Sequence, residues 1–306
     1  MADLLLSTAI QQYLLACRAE GKSPKTLRSY SDWLADFLRV VGDMLVARIA
    51  LTDLHKYLAD LQDRPGRIAP GISSHTVHKG YSTIRTFIRA LYHQGQIPTQ
   101  LTDFVRPIRL SDDLPECLTP AETERLLVVA RAASFRNLVI FEFFLDTGCR
   151  LSEVAGLDLE DIALEAGWAK IYGKGRREAL VPLGRVLVRD LYQYITQHRD
   201  AEAGEDALFT NIHGRRLGME GMSMMVKRAM AAADVSGKRG AHKLRHTFAT
   251  EALRNGMPLE SVRKILRHRD IKVTQRYLHL TQGDVQEDHR QASPLDRWSR
   301  SGRLPR

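Results

Sequence analysis

Along residues 1–95, apolar positions recur every three or four residues, the spacing that gives a helix one buried face. LLSTAIQQYLLACRAEG keeps that period and stops at Gly21. In SPKTLRSYSDWLADFLRVVG, Ser23 is placed as an N-cap, Pro24 falls on the first helical position, and the pattern ends near Gly42. TDLHKYLADLQ opens with Thr52, and SSHTVHKGYSTIRTFIRALYHQG runs to Gly95. No alternating run interrupts these segments, so they read as four amphipathic helices. Lys25, Arg28, His75, His78, Lys79, Arg85 and Arg89 lie among their polar positions.

The period then fails. QIPTQLTDFVRPIRLSDDLPECLTP holds Pro98, Pro107 and Pro115 among polar residues, which marks a linker. The expected division is a helical domain over 1–107, a linker over 108–118, and a second domain over 119–306. Helix restarts in TPAETERLLVVARA, with Thr119 as N-cap, Pro120 at the first position and Glu122 at capping-box spacing. An apolar helix, NLVIFEFFLDTG, follows. WAKIYGKGRREALVPL is the one clear β signal, two short runs around a Gly-Lys-Gly turn. From Leu183 the pattern is helical again through RVLVRDLYQYITQHR, MEGMSMMVKRAMAAADV, GAHKLRHTFATEAL, PLESVRKILRH and KVTQRYLHL. The expected fold is therefore mainly α, with a small antiparallel β element in the second domain.

Composition narrows the class. A chain of 306 residues suggests two or three domains, and an apolar content of 44% supplies ordinary cores. No run approaches the roughly 18–20 apolar residues of a membrane span. MADLLLSTAI has neither a basic leader nor a clear cleavage site, which points to the cytoplasm. Cys17, Cys117 and Cys149 are far apart and odd in number, suiting reduced, buried thiols better than disulfides or a zinc knuckle. The net charge of +9 favours an anionic partner, with nucleic acid the leading candidate.

The densest chemistry is in GAHKLRHTFATEAL. His242 and His246 share a helix face, as a metal pair would. A zinc-hydrolase helix needs Glu after the first His, but Lys243 stands there and Arg245 lies between the pair. Two fixed cations beside a divalent ion are electrostatically wrong. His242 and Arg245, three apart, can instead grip a phosphate, because the Arg fork matches two of its oxygens. A solvated basic face is the bland alternative. Leu244, Phe248 and Ala252 form a separate stripe that can pack on a core.

Three further segments add candidates. In TGCRLSEVAGLDLEDI, Gly148 ends a helix, so Arg150 sits at a helix-to-helix corner with Glu153 placed to orient it. A structural Arg–Glu pair fits equally well. YGKGRR fails as a nucleotide loop: five residues separate Gly167 from Gly173, and Gly175 replaces the hydroxyl residue. Its Lys174 is either simply exposed or able to reach a substrate oxygen and donate a proton. In LRHRDIKVTQRYLHL, His268 follows an apolar helix and Tyr277 falls on the next, where a half-buried core tyrosine is the ordinary reading.

Taken together, Arg150, Lys174, His242, Arg245, His268 and Tyr277 occur in an order and context that resembles the tyrosine recombinase (phage integrase, Xer-like) family. The matching phrases are TGCRLSEVAGL, the hairpin lysine, HKLRHTFAT and ILRHRDIKVTQRY, and the likeness extends over roughly residues 5–280. The resemblance implies a SAM-like helical DNA-binding domain joined to a mostly helical catalytic domain with a small antiparallel sheet. It implies Tyr277 as nucleophile, Arg150 and Arg245 as a phosphate clamp, and Lys174 as general acid. His242 becomes a proton-transfer or phosphate-binding group and His268 a hydrogen-bond partner of the phosphoryl oxygen, with Glu153 as support and His246 as a supporting or packing residue.

The implied partner is double-stranded DNA. Four protomers would act on two sites, alone or with a paired recombinase, without metal, other cofactor or membrane. By the same analogy Lys25, Arg28, His75 and Lys79 become DNA contacts. One departure stands out. Members of the family often carry Gly immediately before the second His, where this chain has Arg267. Rival readings are a type IB topoisomerase-like or telomere-resolving enzyme, and a catalytically silent DNA-binding protein on the same fold.

Overall fold

A computed structural model of the chain describes residues 4–65, 73–105, 115–173, 178–268, 270–275 and 277. The chain divides into two compact units, residues 1–113 and 114–306. Among the described residues the architecture is mainly helical with one small antiparallel sheet, as the hydrophobic pattern predicts.

The first unit holds α1 (Leu6–Ala19), α2 (Pro24–Val41), α3 (Leu51–Asp63) and α4 (Ser74–His93). Ser23 caps α2 by accepting the Thr26 N–H at 3.2 Å, with Pro24 next in line. Ser73 caps α4 in the same way through Thr76. The start of α3 differs from the expectation at Thr52. The helix opens one residue earlier, and the Asp53 carboxylate closes its end by accepting the Ala50 N–H at 2.9 Å. A carboxylate in the first turn also complements the positive end of the helix dipole.

The apolar stripes of these helices meet in a core containing Leu6, Ile10, Leu34, Phe37, Leu54, Tyr57, Ile84 and Phe87. Phe37 and Tyr57 pack edge to face at 5.2 Å, and burying each such ring is worth roughly 2–3 kcal/mol. Lys25 and Arg28 lie exposed on one face of α2, and His75 and Lys79 lie exposed on one face of α4.

The second unit begins with α5 (Pro120–Ala133), α6 (Phe135–Thr147) and α7 (Leu151–Ala155). The sheet follows as β1 (Ile162–Ala163), β2 (Trp168–Tyr172) and β3 (Glu178–Pro182), in the order β1-β2-β3 and antiparallel throughout. Tyr172 pairs with Glu178, which sets the register of the hairpin. β1 went unread in the sequence because two residues cannot display an alternating pattern. The chain continues as α8 (Arg185–Gln193), which runs on as a π-helical turn over Tyr194–His198. α9 (Met219–Ala232), α10 (Ala241–Arg254), α11 (Leu259–Leu266) and α12 (Ile271–Gln275) follow among the described residues.

α6 is apolar nearly all round because it is the centre of this unit: Leu138, Val139, Ile140, Phe141, Phe143 and Phe144 are all buried. α10 packs against it through Leu244, and Phe248 and Ala252 extend the stripe into a smaller cluster with α11. Of the cysteines, Cys17 and Cys149 are buried as expected, whereas Cys117 is half-buried, its thiol 3.1 Å from the Thr250 hydroxyl. All three are free. Among the described residues no helix is long and apolar enough to cross a membrane.

Candidate active site

The site is assembled around a buried arginine. Arg245 lies on α10 with only 4% of its surface exposed. Its Nη1 donates to the Gly148 carbonyl and its Nη2 to the Leu266 carbonyl, each at 2.6 Å. These two bonds tie α10 to the end of α6 and to the end of α11. They also fix the plane of a guanidinium that has five N–H donors in all.

Gly148 makes the arrangement sterically possible. It ends α6 with φ +60°, a left-handed conformation that glycine adopts freely. A Cβ there would come within 2.5 Å of the Phe248 ring and 2.7 Å of a Leu266 methyl. The turn also places Arg150 as the N-cap residue of α7.

Arg150 and Glu153 hold each other. The Glu153 Oε2 accepts the Arg150 backbone N–H at 2.6 Å, and its Oε1 accepts the Arg150 Nη1 at 2.9 Å. The carboxylate is buried, while the Arg150 side chain keeps 40% of its surface. Glu153 Oε2 also accepts from Nη2 of Arg267. One carboxylate therefore serves two guanidiniums, and the neighbourhood keeps net positive charge. Burial first, and then the charges of Arg150 and Arg267, push the Arg245 pKa down to about 10. It remains a cation at neutral pH, in surroundings that an incoming anion would relieve.

The histidines differ in setting. His242, in the first turn of α10, is exposed along one edge, yet partial enclosure and then Arg245 and Arg150 lower its pKa. His268 follows α11, and its Nδ1 lies 2.8 Å from the Thr274 hydroxyl of α12. Burial, followed by Arg245 and Arg150, pushes its pKa down to about 4, so the ring is neutral at pH 7.

Tyr277 is 2% exposed, with its ring packed in the cluster of Phe248, Ala249, Ala252, Val262 and Leu266. Its hydroxyl lies 2.7 Å from Nδ1 of His246. Lys174 lies outside the described residues, in the segment that joins β2 to β3.

Five of the six residues singled out in the sequence thus fall in one neighbourhood of the second unit, where their charges act on one another. Lys243, read as an electrostatic objection to a metal, turns its ammonium away to the Ser236 carbonyl at 2.6 Å. Among the described residues no group of His, Cys, Asp and Glu side chains has the makings of a metal site.

Sequence reasoning gave His246 only a supporting or packing role, although it stands four residues from His242, and it missed its contact with Tyr277. It saw Arg267 as a departure from the family's usual Gly, not as a partner of Glu153. Thr274 carried no sequence signal.

Fixed cations, neutral imidazoles and a tyrosine hydroxyl can bind an anionic ester and attack it. Both parts of the chain match known families. Residues 116–283 match the Phage integrase family, and residues 10–95 match its N-terminal SAM-like domain. The chain belongs to the phage integrase family. The tyrosine recombinase XerD of Oceanobacillus iheyensis is 33% identical, with 95% of this chain and 99% of the relative aligned. XerD of Halalkalibacterium halodurans is 31% identical over 89% and 93%. In fold, a lambda integrase tetramer bound to a Holliday junction superposes with a TM-score of 0.75 at 17% identity, covering 90% of this chain and 77% of that one. The protein is a site-specific DNA recombinase of the tyrosine type, an enzyme that cleaves and rejoins DNA strands.

Proposed function

We propose that Tyr277 is the nucleophile and that Arg150 and Arg245 clamp the phosphate it attacks. The phenol passes its proton to the imidazole of His246 that faces it at 2.7 Å, its oxygen bonds to phosphorus, and the bond to the 5′-oxygen breaks. The 5′-oxygen takes a proton from Lys174 and leaves as a hydroxyl, and the strand stays as a 3′-phosphotyrosyl ester. A 5′-hydroxyl of a second strand reverses these steps. Because the ester conserves the bond energy, the cycle needs neither metal nor ATP.

The observation that carries this reading is Arg245 held by the Gly148 and Leu266 carbonyls at 2.6 Å. A cation fixed before substrate arrives stabilises the charge that builds on phosphoryl oxygens without reorganising. Its neighbours Arg150, His268 and, through His246, Tyr277 then have defined places around one anion. His268 acts as a neutral donor: with the Thr274 hydroxyl donating to Nδ1, its Nε2–H points to a phosphoryl oxygen. His242 moves a proton or binds phosphate, and Glu153 orients Arg150. His246 positions the phenol.

The same reading assigns the helical first domain (1–107) to one side of a duplex, with 108–118 as linker and 119–306 as the catalytic domain. Lys25, Arg28, His75 and Lys79 contact DNA there, and most affinity is salt-dependent phosphate binding. Four protomers assemble on two sites, alone or with a paired recombinase, in the cytoplasm. The reaction serves integration and excision or resolution of DNA. The test is a plasmid carrying two copies of the target site, recovered by sequencing DNA trapped covalently on the protein. Recombination gives deletion or inversion products, whereas relaxation without recombinants would assign the chain to topoisomerase-like chemistry.

A further inference from the structure

Arg267 ends α11 with φ +57° and ψ +42°. Among the described residues only Asp234 and Arg267 adopt positive φ without being glycine. Aspartate tolerates this conformation by bonding to nearby backbone, but arginine has no such compensation. Glycine would sit there freely. A strained residue persists only where its surroundings determine it, and such positions cluster at functional sites.

The side chain is not directed to solvent. It keeps 15% of its surface and is pulled inward. Nη1 donates to the Ile265 carbonyl at 2.8 Å, and Nη2 reaches Glu153 Oε2 and lies 3.9 Å from the Cys149 sulfur. Its Nε–H is buried with no hydrogen-bond partner.

The target of this reach is informative. Glu153 Oε2 already accepts the Arg150 backbone N–H, and Oε1 accepts the Arg150 guanidinium. A carboxylate held only by a neighbour three residues away can swing together with that neighbour. Arg267 anchors it from another element, α11, whose end is also tied to Arg245 through the Leu266 carbonyl. It further adds a fixed positive charge that Arg245 and His268 both feel.

We propose that Arg267 is a positioning residue for strand cleavage, holding Glu153 so that the Arg150 guanidinium meets the DNA phosphodiester in one orientation. This rests on the assignment of Arg150 to the phosphate clamp. The strained backbone and the buried guanidinium are then two halves of one device: the left-handed turn aims the side chain at Glu153, and the ion pair holds the turn.

The test uses the full chain in single-turnover covalent capture on a nicked suicide substrate, at saturating protein. Arg267→Gly suits the backbone and removes only the side chain. It is expected to bind uncleaved DNA normally and to capture about 10- to 100-fold more slowly, the loss typical of a misplaced reacting group. Arg267→Lys keeps the charge without the planar fork and is expected to fall between the two.

Glu153→Gln in both backgrounds completes a double-mutant cycle. If Arg267 acts through Glu153, the double variant is no slower than the slower single one. His268 should also titrate at higher pH in Arg267→Gly. The proposal is overturned if Arg267→Gly captures at the wild-type rate, fails to fold, or shows a loss that multiplies with that of Glu153→Gln. Arg150→Ala, run alongside, should abolish capture. If it does not, the phosphate-clamp assignment itself has failed, whatever Arg267 does.

Discussion

The Tyr277 hydroxyl and Nδ1 of His246 lie 2.7 Å apart, joining the short segment after α12 to the middle of α10. The tyrosine ring is enclosed by α10 and α11 residues, and the histidine holds its polar end. His246→Ala removes that constraint and leaves the apolar cluster intact. It should slow covalent capture by about 10- to 100-fold while DNA affinity stays unchanged. A parallel loss of binding would make His246 a structural residue only.

Arg245 depends on its shape as well as its charge. Lysine carries a point charge and cannot reach both the Gly148 and Leu266 carbonyls as a planar fork does. Arg245→Lys should lower stability by about 2 kcal/mol, the scale of one lost charge-assisted bond in a buried site. It should also remove detectable cleavage. Urea unfolding and capture on the same preparation check both. Wild-type stability would mean the two carbonyl bonds hold nothing together.

Gly148 offers a test of packing separate from chemistry. A methyl group there meets Phe248 and Leu266, and the left-handed backbone disfavours it further. Gly148→Ala should cost roughly 2–4 kcal/mol from strain and overpacking together. Thermal unfolding measures it, and an unchanged melting temperature would contradict the close approach of α6, α10 and α11.

His268 gives a pH dependence with a defined sign. Its folded pKa near 4 lies below the ordinary histidine value of 6.5, so the native state favours the neutral ring. The stability this contributes is complete above pH 6.5 and is lost as pH falls from 6.5 toward 4. For a partly buried ring the loss should be roughly 1–3 kcal/mol. His268→Gln, which cannot titrate, should flatten that part of the stability curve. An identical decline in wild type and variant would refute the depressed value.

Much of this could be read from the sequence because the relevant signals are local. Ser23 with Pro24, Thr119 with Glu122, and the stripe of Leu244, Phe248 and Ala252 each declare themselves within a few residues. The start of α3 fell one residue late because Asp53 closes the helix from inside its first turn, through the Ala50 N–H, which no residue ahead of the helix announces. The two-residue β1 was too short to show a period.

At the site, residue types and order marked Arg150, His242, Arg245, His268 and Tyr277. The contacts that organise them are long-range: Arg245 to Gly148, Arg267 to Glu153, and His246 to Tyr277. No spacing rule along the chain reports a bond between residues 97 or 114 positions apart. His246 was undervalued for that reason. Its partner was already in view, but nothing in the sequence placed the two together.

In the proposed reaction Tyr277 carries the covalent bond to DNA. Tyr277→Phe keeps the ring in its apolar cluster and removes only the hydroxyl, so folding and DNA binding should persist. The direct measurement is covalent capture of a nicked suicide substrate in excess chelator, read as protein–DNA adduct on a denaturing gel. Wild type should form the adduct and Tyr277→Phe should form none. An adduct in the Phe variant would mean that another residue is the nucleophile.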